Sequence, residues 1–218
     1  MNEFTARPAD LPLVGSELAF DFTNTASGRG TAKHCEHFRT ATDVIAWARH
    51  AMVVTERDRD AALAAVARDA SLGRRLLREA RNNREVIHRI GVAIAQGSKP
   101  AAPDISALTA AHSRFLAVAR LAPYGDGFVW SWKADDGVVE ALLGPITLSA
   151  LTLLTQQDLS RIKQCQGEHC GWLFFDTTKN KNRRWCEMEV CGNRAKQKQF
   201  AERRKHKQAK AAPEKRMS

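Results

Sequence analysis

The apolar positions fall into stretches of different period. Leu11 to Phe22 (LPLVGSELAFDF) predicts a strand or extended segment, broken by the turn Ser27-Gly28-Arg29-Gly30. From Thr40 onward the spacing is helical. Val44, Ile45, Trp47 and Ala48 share one face of a helix capped by Thr40 or Thr42. Thr55 caps an alanine-rich helix over Glu56 to Asp69, with Asp58 in its first turn. Ser71 opens a longer helix through Leu76, Leu77, Ala80, Ile87, Ile90 and Ile94, ending near Gly97. After the linker Gly97 to Pro103, Asp104 is expected to cap a helix that turns Leu108, Phe115, Leu116 and Val118 inward. Phe128 to Trp132 and Val138 to Leu142 flank Asp135-Asp136-Gly137 and predict a hairpin. Pro145 is expected to start a last body helix from Ile146 to about Lys163. The fold class is mainly α with a small β-hairpin (α+β).

The composition suits a soluble chain, with 44% hydrophobic and 27% charged residues in 218. Met1 to Leu13 contains Glu3 and Asp10 and no apolar run, so no signal peptide is expected there. No uninterrupted apolar stretch reaches about 18 residues, and a cytoplasmic protein without a membrane span is expected. The net charge of +10 is segregated. Residues 161–218 hold 16 Lys+Arg and 6 Asp+Glu, whereas residues 1–160 are balanced at 18 and 18. A basic end points to an acidic partner, nucleic acid first and anionic membrane second, or to a solubilising tail.

Four of the five cysteines stand in that basic end as Cys165-x4-Cys170-x15-Cys186-x4-Cys191. Two close pairs separated by a longer excursion can wrap one tetrahedral ion, and four thiolates favour zinc while leaving no open position for catalysis. Two disulfides or buried free thiols are the alternative, disfavoured by the intracellular expectation. Trp172 to Thr177 and the segment ending at Trp185 are expected to pair as a hairpin across Lys179-Asn180-Lys181-Asn182. A basic helix is expected from Asn193 to about Ala211. Knuckle, hairpin and ligand-bearing helix together describe a treble-clef-like finger, ordered largely by its metal.

Cys191-Gly192-Asn193-Arg194 spells C-G-N-R behind Arg184-Trp185-Cys186, with Lys163-x-Cys165, Cys170 and Trp172 to Asp176 upstream. This resembles the CGNR zinc-finger family, whose members pair the finger with a helical N-terminal region called ABATE. Gly15 to Thr25 (GSELAFDFTNT) resembles the opening of that region, with Asp21, Asn24 and Thr25 in its expected places. The resemblance implies a stress-linked transcription regulator that binds DNA. It also implies two parts, a regulatory domain over 1–160 and a basic zinc finger over 161–218.

Arg183, Arg184, Arg194, Lys196, Lys198, Arg203, Arg204, Lys205 and Lys207 are the candidate nucleic-acid contacts, against the alternative of a solvated helix exterior. DNA is the expected partner. The sequence does not separate it from RNA, and it leaves open a homodimer, a protein-docking finger and an effector of the N-terminal part. Trp172 and Trp185 are read as packing beside the metal rather than stacking on bases. Lys33-His34-Cys35-Glu36-His37 offers three possible ligands in four residues but lacks a fourth donor, and reads better as a polar loop entering a helix. His169 could replace Cys170 as a ligand. Asp21 and Asn24 could line a small-molecule pocket or make turn hydrogen bonds. No nucleophile elbow, HExxH or phosphate loop occurs, so no enzyme is expected.

Overall fold

The structure, a computed structural model, describes residues 6–211. Helices α1 (Leu18–Thr23), α2 (Ala41–His50), α3 (Glu56–Arg68), α4 (Ala70–Ala95), α5 (Ala102–Leu116), α6 (Val138–Gln156) and α7 (Asn193–Ala211) make most of it. Three antiparallel pairs complete it: β1 (Ala26–Ser27) with β2 (Cys35–Glu36), β3 (Arg120–Tyr124) with β4 (Gly127–Ser131), and β5 (Ile162–Gln164) with β6 (Leu173–Phe175). The mainly α, α+β class is the one observed.

Local signals set several boundaries. Thr40 and Asp43 form a reciprocal capping box at α2, and the Thr55 hydroxyl accepts the Asp58 amide at α3. The long helix starts one residue before Ser71, because Asp69 accepts the Ser71 N–H and serves as the cap. At α5, Pro103 occupies the first turn and no side chain caps the end. Asp104 lies inside that turn, where its carboxylate binds Arg89 of α4. Leu108 and Phe115 are buried as expected, whereas Val118 is exposed.

Four expectations fail where periodicity is short or a punctuating residue misleads. Leu11 to Phe22 is not a strand; its second half forms α1, with Ala19, Phe20, Phe22 and Thr23 all buried. In so short an element buried on every side, period 2 and period 3.6 look alike. The hairpin lies earlier than expected, turning at Gly125-Asp126, with Pro123 facing Phe128 across it. Gly137 is instead the residue before α6, and Val138 to Leu142 is buried helix. Pro145 therefore lies inside α6, where burial of its neighbours Leu142, Leu143 and Ile146 sustains the helix despite the missing N–H. That helix stops at Gln156, and residues 162–164 become β5 rather than helix. Last, β6 pairs with β5 and not with the segment ending at Trp185.

The core gathers around Phe22, Phe38 and Trp47, whose rings lie 5.4–6.0 Å apart. Helix α6 is long and apolar enough to cross a membrane, but most of it is buried in this core. A second cluster joins Phe20 of α1 to Leu153, Ile162, Leu173 and Phe175, and so seats β5 and β6 on the helical body. Gly91 of α4 permits that seat, since a Cβ there would lie 2.5 Å from Leu173 Cδ1. Polar chemistry is also buried here. Arg84, its side chain 3% exposed, forks onto Glu36 at 2.7 and 2.5 Å. Arg29 binds Glu85, and although burial pushes that carboxyl up, the two arginines hold it down to about 2.

Candidate zinc centre and nucleic-acid interface

Cys165 follows β5 and Cys170 precedes β6, so the first pair stands at the tip of a short hairpin. The Cys165 N–H donates to Trp172 O at 2.8 Å and the Cys170 N–H to Gly167 O at 3.0 Å, which closes the knuckle. Gly167 lies against the sulfurs: a Cβ there would stand 3.2 Å from Cys191 Sγ and 3.5 Å from Cys165 Sγ. The Gly167 amide points at Cys165 Sγ at 3.4 Å, a donor suited to a thiolate. The second pair is closed by a π-turn, Met188–Gly192, in which the Cys191 N–H donates to Glu187 O. This turn runs directly into α7.

The four sulfurs, all buried, lie within 4.8 Å of one another. Cys170 and Cys186 are 3.5 Å apart and Cys186 and Cys191 3.6 Å. A regular tetrahedron with Zn–S bonds of about 2.3 Å has sulfurs about 3.8 Å apart, whereas a disulfide needs about 2.05 Å. The geometry is that of a metal cage. Among themselves the sulfurs compete for protons: hydrogen bonds from the other three pull Cys165 down, while its neighbours push Cys170 and Cys186 up. A divalent cation among four buried sulfurs releases those protons and makes all four thiolate ligands.

Family models match both parts of the chain. A model described as "Putative stress-induced transcription regulator", the ABATE family, covers residues 16–157. A model described as the CGNR zinc finger covers residues 161–204. The chain belongs to the ABATE family and carries a CGNR zinc finger. It therefore holds one structural zinc, with Cys165, Cys170, Cys186 and Cys191 together as its donor set. No curated protein matches the sequence.

In this ABATE–CGNR chain the finger is bound to the helical body by polar contacts as well as the shared core. The Gly28 N–H donates to Cys170 O at 3.0 Å and the Phe175 N–H to Gly15 O at 2.8 Å. Trp172, 2% exposed, donates its indole N–H to Ser27 Oγ at 3.1 Å. The Ala6 carbonyl can only accept, so His37 carries its proton on Nδ1 and donates there, and in the neutral ring Nε2 accepts from the Ser27 hydroxyl at 3.0 Å. Both tryptophans pack with the cysteine cluster, Trp185 half-buried with Arg184 over its ring.

The candidate contacts separate into two groups. Arg183 is built into the fold: its guanidinium stacks 4.3 Å from the Phe174 ring and donates to Val14 O, Ser16 Oγ, Trp185 O and Cys186 O. Those bonds leave the side chain unsuited to a phosphate. Arg184, exposed, binds Gln166. Arg194, Lys196, Lys198, Arg203, Arg204 and Lys205 lie along α7 and are exposed, with Lys198 paired to Glu168 at 2.7 Å. The Lys207 side chain falls outside the described ones. Asp176 organises the loop over 177–183. Burial pushes its carboxyl up, but Thr178, Lys163 and the Arg183 amide hold it well below the usual range. A groove of about 350 Å³ runs between the knuckle and α7, lined by Lys33, Gln166, His169, Arg194 and Lys198 among others. The sequence reading misses Lys33 and Gln166 here, since their only signal is spatial.

The remaining candidates disperse. Glu36 turns to Arg84, His37 turns inward, and among the described residues the four cysteines are the one grouping that could hold a metal. His169 stands outside the cage. Asp21 accepts the Gly15 N–H at 2.7 Å and Asn24 is buried against β6, so both make the hydrogen bonds of a local turn and a β6 clamp.

Proposed function

We propose that this chain is a transcription regulator that binds DNA through α7, with residues 1–160 as its regulatory domain and 161–218 as its DNA-binding domain. One observation carries the reading. From 197 to 206 α7 is exposed on every side and carries Lys198, Arg203, Arg204 and Lys205, and its start is anchored by the last zinc ligand. Apart from Phe200 the exposed side chains here are polar or small, and such a helix gains little from packing, so its ordered presentation is useful to an external polyanion. Zinc holds its start, so the entropy of ordering basic side chains on a phosphate backbone is partly met before binding.

An α-helix fits the major groove of B-DNA, whereas the deep, narrow groove of A-form RNA excludes it, which favours DNA over RNA. Arg194 and Lys198 lie four apart on one face next to the knuckle and supply the groove contact; Lys196, Arg203, Arg204 and Lys205 supply phosphate contacts. Regulation fits the description of the ABATE family, and we read the chain as a cytoplasmic regulator rather than an enzyme. Titration of labelled duplex DNA with zinc-loaded protein at several salt concentrations tests the reading. About five or six phosphate contacts give a log–log salt slope near −5. Absence of binding at about 50 mM salt would overturn it and leave the finger as a protein-docking element.

A further inference from the structure

The β3–β4 hairpin carries apolar residues outward. Alternation along the paired strands puts Leu121, Pro123, Phe128 and Trp130 on one face, with Leu121 opposite Trp130 and Pro123 opposite Phe128. Leu121 is 60% exposed, Phe128 71% and Trp130 43%, and Pro123 is exposed too. The sheet has two strands only; its base rests on the body through Trp132, and the four residues of this face keep the exposure given. On the usual area scale of aromatic side chains the four present roughly 400 Å² of contiguous apolar surface, a size that marks an interaction site rather than scattered surface residues.

We infer that this face is the contact by which two copies of the chain associate about a two-fold axis. The face is self-complementary. Antiparallel stacking sets Trp130 of each copy on Phe128 of the other, and Leu121 on Pro123, so large meets large and small meets small. It also brings Asp126 at the tip of one hairpin toward Lys133 beyond the base of the other. Two such faces bury roughly 800–1,000 Å², the low end for a specific contact and the size of a weak, reversible dimer. Asp136 is paired with Arg120, and the neighbouring acids Asp126 and Asp135 oppose a nucleic acid or an anionic bilayer as the occupant. A dimer would carry two α7 helices on one two-fold axis, the arrangement that matches paired half-sites, but the inference stands without DNA binding.

Sedimentation velocity of the full-length, zinc-loaded protein from about 1 to about 100 μM tests it. The expected result is a rise from monomer to twice the monomer mass across that range. Phe128→Ser, and separately Leu121→Lys, should hold the chain monomeric at about 100 μM with unchanged zinc content and circular dichroism. Tyr124→Glu, on the opposite face, should dimerise as the wild type does. A wild-type monomer at about 100 μM, a dimer that survives Phe128→Ser, or a dimer lost in Tyr124→Glu would each overturn the proposal. So would co-sedimentation of the monomer with phosphatidylcholine–phosphatidylserine vesicles, which would assign the face to a membrane.

Discussion

Asn24 closes both hydrogen bonds of the Leu173 backbone: its Nδ2 donates to the carbonyl at 2.9 Å, and the Leu173 N–H donates to its Oδ1 at 3.0 Å. One side-chain amide from the end of α1 thus does what a further strand would do for β6, and binds the finger to the helical body. Both residues are buried, so water cannot replace these bonds. Asn24→Ala leaves a buried N–H and C=O unpaired at about 1–3 kcal/mol each, and a total loss of about 2–4 kcal/mol is expected. Urea unfolding followed by tryptophan fluorescence and by far-ultraviolet circular dichroism checks it. A loss below about 0.5 kcal/mol would show that the clamp is incidental.

The zinc sulfurs belong to the same packed cluster as Phe38, Trp47 and Trp172. Cys186→Ser should therefore lower bound zinc from one per chain to well below one, and should also lower the unfolding temperature of the whole chain rather than of residues 161–218 alone. Elemental analysis and a thermal melt read the two effects. Full zinc occupancy in the variant would remove Cys186 from the ligand set.

Asp21 gives a pH dependence. Burial lifts its carboxyl to about 6, against the pull of the Gly15 amide and Arg183. A carboxyl whose pKa is higher folded than unfolded contributes stability that is full below about pH 4 and lost as pH rises through about 6. Asp21→Asn keeps an acceptor for Gly15 and never ionises. Relative to wild type it should gain about 2–3 kcal/mol at pH 7.5 and little at pH 4. His88, held down to about 4 by burial and by Arg29, titrates in the same window with the opposite sign. The wild-type profile alone therefore masks both, and the difference between variant and wild type is the quantity to measure. A difference that stays constant from pH 4 to pH 7.5 would contradict the Asp21 assignment.

Arg183 and the α7 basic residues should separate by mutation. Arg183→Ala removes four acceptors' partner and the stack on Phe174, so a stability loss of about 2–4 kcal/mol is expected. Reversing Arg203, Arg204 and Lys205 to Glu touches only exposed positions. Stability should then change by less than about 0.5 kcal/mol, while the DNA salt slope weakens by close to 3. The two measurements, denaturant unfolding and salt-dependent titration, would give the reverse pattern if Arg183 faced the nucleic acid.

What the chain states locally could be read from it directly. The Thr40 and Thr55 caps, the start of α7 behind Cys191 and the four-cysteine donor set each depend on residues a few positions apart. Two short cysteine loops specify a metal before any fold is known, because thiolate chemistry and loop closure suffice. Only the tertiary structure decided the rest. Whether Phe20 and Phe22 belong to a strand or a helix depends on what covers both sides of a six-residue element. Whether β6 pairs with β5 or with the segment before Trp185 depends on Gly91 leaving room for Leu173 and on Asn24 completing its bonds. Arg183 looks like any other arginine of a basic run until Val14, 169 positions away, supplies its acceptor. These choices rest on contacts between distant segments, whose energies exist only once the chain has closed the loops between them.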